Sequence, residues 1–192
     1  MDNLIFIDDD KIKDWSNEIN NHTKEIDRIL FIDKDIVDNT INDLFNNHII
    51  PVLSYWIRNT YVGERKNKIL QTAFQNFFNS LYELLRKLRG YSNIEIKSFV
   101  KKALYKGILY RYLGNLKSDK DIEYNDIWVS WSKKKSNTYF DEKITNGKII
   151  ITCKTKDKYG IDLTAFGMSC NNEEEVVYPT IKKTIKNIEQ ID

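Results

Sequence analysis

The hydrophobic period of this chain changes once, near Gly107, and that change constrains the fold more than any other feature. Before it, apolar residues recur three and four positions apart, the spacing of one face of an α-helix. The clearest stretch is 67-NKILQTAFQNFFNSLYELLRKLRG-90. There Leu70, Phe74, Phe77, Leu81, Leu84 and Leu88 form a stripe that Ile69, Ala73, Phe78 and Leu85 widen, and Gly90 follows a basic last turn as a C-cap would. Ile12, Trp15, Ile19, Ile26, Ile29 and Leu30 predict an earlier helix. Ile41, Leu44, Phe45, His48 and Ile49 predict another, interrupted or kinked by Pro51. Ser92 with Glu95 has the spacing of a capping box ahead of 94-IEIKSFVKKALYKG-107.

Beyond Gly107 the texture becomes short apolar and β-branched runs separated by turn residues: 108-ILYRYL-113, 127-IWVSW-131, 147-GKIIITCKT-155, 160-GIDLTAF-166 and 175-EVVYP-179. Asn146-Gly147 and Tyr159-Gly160 mark turns, and a short helix is expected over Lys133 to Phe140. The reading is an α+β chain: an N-terminal helical layer over residues 1–107, then a largely antiparallel β core over 108–192. No repeat, low-complexity tract or Gly-Ser linker separates the halves, so one packed unit is expected of 192 residues.

Composition excludes more than it identifies. Thirty basic against 28 acidic residues leave a net charge of +2, well short of a dedicated nucleic-acid binder. The opening MDNLIFIDDDKIK has too short an apolar run for a signal peptide or membrane span, so a cytoplasmic chain with no membrane partner is expected. Cys153 and Cys170 are too few for a disulfide framework. With only His22 and His48 besides, read as surface or capping residues, no metal site is expected.

Polar residues nonetheless interrupt three of the strand-like runs. Arg111 lies inside Leu-Tyr-Arg-Tyr-Leu, Ser130 and Ser132 flank Trp131, and Glu173, Glu174 and Glu175 lead into Val176-Val177. Each has a plain alternative: a strand-surface arginine, serines that cap a helix beginning at Lys133, a solvated acidic loop. In order, Tyr110-Arg111, Trp128-Val129-Ser130-Trp131-Ser132 and Glu173-Glu174-Glu175-Val176-Val177 resemble the arginine-serine-glutamate class of mono-ADP-ribosyltransferases, over roughly residues 108 to 180. The chain departs from the family pattern at Trp131, where threonine is usual, and at Tyr112, where a glycine often follows the arginine. The resemblance implies an ADP-ribosyltransferase-like β core, NAD as cosubstrate and no metal.

It also implies roles. Cleavage of the nicotinamide–ribose bond passes through an oxocarbenium-like state that a carboxylate stabilises, the part Glu175 takes. Arg111 clamps the diphosphate by charge-assisted hydrogen bonds, with Tyr110 and Ser132 beside it on the cofactor, and Ser130 orients the carboxylate. In an extended segment Glu173 and Glu175 share a side while Glu174 points away, and Glu173 is the residue the family pattern associates with an arginine acceptor. The loop 164-TAFGMSCNN-172 corresponds to a target-recognition loop, with Phe166 as an exposed ring that touches the acceptor; the alternative is that Phe166 ends a core strand. Lys133, Lys134 and Lys135 suit phosphates or a solvated helix start. The implied acceptor is a protein arginine, with nucleic acid left open, and NAD glycohydrolysis and an inactive helical interaction protein are the alternatives. A toxin, a phage or virus effector and a defence protein share this pattern.

Overall fold

The computed structural model describes residues 9–32, 37–61, 67–113, 122, 124–135, 148–168 and 174–191. The chain separates into two compact units, one running to Lys87 and the other starting at Leu88. The expected Asn146-Gly147 turn, Glu173, Cys170 and the stretch 136–140 lie outside the described residues.

The first unit is helical: α1 (Asp9–Ile32), α2 (Asp38–Asp43), a π-helical turn (Leu44–Ile49), α3 (Ile50–Tyr61) and α4 (Lys68–Leu88). The stripes read from sequence become its core. Ile19, Ile26, Ile29, Ile41, Leu44, Leu70, Phe74, Phe77 and Phe78 are buried, and Trp56 packs edge-on to Phe74 and Phe78 with ring centroids 5.0 and 4.8 Å away. Ile69, expected to widen the α4 stripe, is exposed in the first turn. Asn67 caps that turn, its side chain accepting from the N–H groups of Ile69 and Leu70 at 2.9 and 3.2 Å. Lys87 reaches the carbonyls of Ile29 and Leu30, placing a cation at the negative end of α1.

Pro51 does not end its helix. It sits in the first turn of α3, directly after the π-helical turn. Proline lacks the N–H of the usual ladder and its ring crowds the carbonyl four residues back, and a wider turn relieves both. His48 lies in that turn and meets His22 of α1, Nδ1 to Nδ1, at 3.0 Å. The two histidines are therefore partners and not separate surface residues. Nε2 of His22 lies 4.0 Å from Glu18 and that of His48 lies 3.9 Å from Asp43. Burial, and then the neighbouring His48, hold His22 below its ordinary pKa against the opposing pull of Glu18.

The second unit begins with α5 (Ile94–Ala103), which packs on strands β1 and β5 and on the 3₁₀ turn Leu163–Phe166. The compact units thus divide before α5, and not at Gly107. Its cap is Asn93, whose side chain accepts from Glu95 and Ile96 N–H, so the expected Ser92–Glu95 box is displaced by one residue. Among the described residues the sheet has seven strands: β1 (Leu104–Tyr105), β2 (Ile108–Leu113), β3 (Trp128–Ser132), β4 (Lys148–Lys154), β5 (Gly160–Asp162), β6 (Glu175–Pro179) and β7 (Ile185–Ile191). Their order is β1-β5-β6-β3-β2-β4-β7, with every neighbouring pair antiparallel. The architecture is α+β, a helical N-terminal region followed by an antiparallel sheet.

Leu109, Val129, Trp131, Ile149, Ile151, Cys153, Val176 and Tyr178 form the sheet's core cluster. At Gly160 a Cβ would collide with the Val176 side chain, which explains a glycine at the start of β5. Among the described residues no helix is long and apolar enough to cross a membrane.

Candidate functional site

Antiparallel registry brings the three polar motifs onto three neighbouring strands. Tyr110 of β2 stands opposite Ser132 of β3, and Ser132 stands opposite Glu175 of β6. Directly paired residues share a face of the sheet, so Tyr110, Ser132 and Glu175 form one cross-strand row, with Ser130 two positions along on the same face. The intervening Trp131 and Val176 turn to the other face and join the core. Glu175 is only 4% exposed although it opens its strand. The backbone continues the ladder one step further, Lys133 N–H donating to the Glu174 carbonyl at 3.1 Å, which fixes the chain at the entrance to Glu175.

Arg111 sits differently. Alternation along β2 sends it to the side opposite Tyr110, and its partner on β4 is the core residue Ile151. Its Nη1 nevertheless donates to the Ser130 carbonyl at 2.7 Å, so the guanidinium lies against the serine-bearing strand, half-buried. The contact is to the Ser130 backbone. Ser132 Oγ accepts from Lys134 N–H at 3.0 Å, so it caps a bend and not the helix expected to begin at Lys133.

Residues 133–135, where the short helix was expected to begin, form a bend, and each of the three lysines there makes an ion pair. Lys133 Nζ lies 2.6 Å from Asp162, an ion pair with side chains 18% and 8% exposed. Lys134 pairs with Glu174 at 3.0 Å and Lys135 with Glu189 at 2.9 Å. Lys134 first, then Lys133, hold the Glu174 carboxyl below its usual range. Asp162 also accepts from Thr164 N–H and Oγ1 at 3.1 and 2.7 Å and so caps the 3₁₀ turn that follows. Lys133 Nζ lies 5.5 Å from the centroid of the Tyr105 ring. Burial, followed by Asp162, Tyr110 and Glu174, raises the Tyr105 pKa. Asp162 and Tyr105 were not among the residues the sequence suggested, and Lys133 was read there only as suiting phosphates or a solvated helix start. The Asp162-Leu163-Thr164 spacing signals the cap, but nothing local pairs Lys133 with Asp162.

Phe166 is not an exposed ring. It is 8% exposed, at the end of the 3₁₀ turn, and packs edge-on to Phe99 of α5 with centroids 5.1 Å apart. Gly167 then ends the turn at φ +72°, a conformation glycine adopts without steric cost. Glu173 lies outside the described residues, so its position relative to Glu175 rests on sequence alternation alone. Cys153 is a free, buried thiol that donates to Thr184 Oγ1 at 3.2 Å, and burial raises its pKa. Among the described residues no group of three or more His, Cys, Asp or Glu is placed to hold a metal ion. No protein-family model, curated protein or solved structure matches this chain.

Proposed function

We propose that the chain is an NAD-dependent mono-ADP-ribosyltransferase, with a protein arginine as acceptor. The observation that carries the reading is the cross-strand row Tyr110, Ser132 and Glu175, which unites three sequence-distant motifs at one place on the sheet. The side chains there fit the ribosyl half of a dinucleotide in kind: hydroxyls and a phenol for ribose or ring contacts, and a sheltered carboxylate for a cationic sugar. NAD would supply a glycosidic bond to a cationic pyridinium, whose ring nitrogen keeps the bonding electrons as nicotinamide leaves. Glu175 faces the positive charge that develops on the ribose; low exposure strengthens that interaction. Ser130 and Ser132 lie on the same face and orient the carboxylate and substrate hydroxyls. Arg111 takes the diphosphate role from the family resemblance alone, because its guanidinium lies on the face away from Tyr110 and is held to the Ser130 carbonyl. Glu173 takes the acceptor's proton.

NAD glycohydrolysis is the second reading, favoured by one observation: the ring expected to recognise an acceptor is packed on Phe99, and water needs no recognition ring. Incubation with a labelled NAD analogue and cell extract, followed by mass spectrometry, separates the two, because transfer labels a macromolecule and hydrolysis yields free ADP-ribose. Glu175→Gln should lower both outputs by about a hundredfold or more, since both share one cationic transition state. Glu173→Gln should remove transfer to arginine and spare hydrolysis. Full NAD turnover by a folded Glu175→Gln protein would overturn the assignment.

A further inference from the structure

The net charge of +2 conceals a segregation that the division at Lys87 exposes. The helical unit carries 11 basic and 14 acidic residues, and the sheet unit carries 19 basic and 14 acidic, so the second is cationic and the first anionic. Much of that excess gathers around the connection from β4 to β5. Lys154, Lys156 and Lys158 are exposed on it, and exposed Arg89 and Lys106 converge on Tyr159 at its end. Arg89 Nη1 donates to the Tyr159 hydroxyl at 2.9 Å while its guanidinium carbon stands 5.2 Å from the ring centroid, and Lys106 Nζ stands 5.8 Å away. Thr155 ties the connection down: its N–H donates to the Gly107 carbonyl at 3.0 Å and its Oγ1 accepts from Gly107 N–H at 2.9 Å. Asp157, the carboxylate on this connection, is neutralised by Lys183.

We propose that this rim binds single-stranded nucleic acid. The reading is independent of NAD chemistry. Exposed cations along a fixed backbone suit a phosphate chain, and a half-buried phenol ring with a planar guanidinium held against it suits the faces of unstacked bases. An acidic protein would need the charges but not the ring. An anionic membrane would favour cations spread around an inserting apolar side chain, whereas the aromatic ring here is pinned by Arg89.

Fluorescence anisotropy of a labelled 20-nucleotide oligo(dT) titrated with the full chain tests this, in about 50 to 200 mM salt where phosphate contacts are strongly screened. Binding should be measurable at the low-salt end and weaken at least tenfold by the high-salt end. Lys156→Gln with Lys158→Gln should weaken it further and flatten the salt slope by about 0.7 per lost contact. Tyr159→Leu should weaken binding several-fold with the slope unchanged. Lys24→Gln, exposed on the helical unit, should change nothing. Thermal melting confirms that each variant is folded; if Tyr159→Leu melts early, Arg89→Gln replaces it and should weaken binding several-fold and flatten the slope by about 0.7. No binding at low salt, equal loss from Lys24→Gln, or equally tight binding to polyglutamate or phosphatidylserine vesicles would overturn the proposal. Because no NAD is present, failure here leaves the ADP-ribosyltransferase reading untouched, and failure of that reading leaves this one standing.

Discussion

The two units solve the problem of buried polar groups in different ways. In the helical unit the buried hydroxyls of Ser16 and Thr23 bond to carbonyls four residues back in their own helix, Ile12 at 2.9 Å and Ile19 at 2.8 Å. Nothing distant is needed to satisfy them. In the sheet unit two buried polar groups reach far along the chain, Asp162 to Lys133 and Thr184 to Cys153, while Ser132 and Thr184 also bond within two or three residues. Local satisfaction is compatible with a unit selected for packing alone. A charge buried on a strand and held by a remote partner destabilises a core unless that partner is in place. The comparison therefore sets a half held by local bonding and packing against the half that carries the candidate site.

The largest expected effect tests the helical side. Trp56→Ala removes a fully buried indole and its two edge-on contacts with Phe74 and Phe78. It should destabilise by about 3 to 5 kcal/mol, read from denaturant unfolding. Turnover in native conditions should persist in whatever fraction stays folded. A folded Trp56→Ala protein that lost NAD turnover would break the division of labour.

Next comes the ion pair behind the row. Lys133→Met leaves the Asp162 carboxylate, 8% exposed, without its cation, at a cost of about 2 to 4 kcal/mol. Asp162→Asn on top of it should recover part of that loss, and a double-mutant cycle measures the coupling. Additivity of the two substitutions would show that the pair contributes no more than an exposed surface bridge.

The division also explains what sequence could reveal. The α4 stripe, β2 and β6 were legible because each repeats its own period without reference to anything distant: Leu70 to Leu88 every three or four residues, and Glu175-Val-Val-Tyr-Pro179 as one β-favouring run. Strand β7 was not, because Ile185-Lys-Asn-Ile-Glu-Gln-Ile191 has little β preference and is held in place by β4 across the sheet. Three consecutive motifs suggested the site, and registry aligned Tyr110, Ser132 and Glu175. Alternation along β2 also set Arg111 on the side away from Tyr110, and burial turned Phe166 onto Phe99; both depend on neighbours that no local motif contains. The same is true of His22 and His48, 26 residues apart, which composition alone cannot pair.

That histidine pair gives the helical unit a pH dependence. Burial and His48 lower the pKa of His22 in the folded state, so as pH falls through the ordinary histidine value of about 6.5 the unfolded chain takes up the proton first. The stability contributed by neutral His22 is present above that pH and is lost as pH falls toward the depressed folded value. The melting temperature should decline from pH 7.5 to 5.5, and His22→Gln should flatten the decline over that window. An identical pH profile for the variant would assign the dependence to the carboxylates.

The smallest effect probes whether every polar group of the sheet core has a purpose. Tyr178 is fully buried, and its hydroxyl has no hydrogen-bond partner among the described residues. Burial, followed by the nearby Cys153, raises its pKa against the opposing pull of the Lys156 backbone and the Thr184 hydroxyl, which lie near the phenol without meeting hydrogen-bond geometry. Its backbone carbonyl is engaged, accepting from Trp131 Nε1 at 2.9 Å, so the strand position is fixed independently of the hydroxyl. An unsatisfied buried hydroxyl costs about 1 to 3 kcal/mol relative to a paired one, whereas phenylalanine fills nearly the same volume and removes the polar atom. Tyr178→Phe should therefore be neutral or stabilise the protein by about 1 kcal/mol, measured as the denaturant midpoint at an unchanged slope. A loss of more than about 1 kcal/mol would mean that a water, the Lys156 backbone or Thr184 completes the hydroxyl's bonding, and that Tyr178 belongs with Asp162 among the groups the sheet unit holds by remote partners.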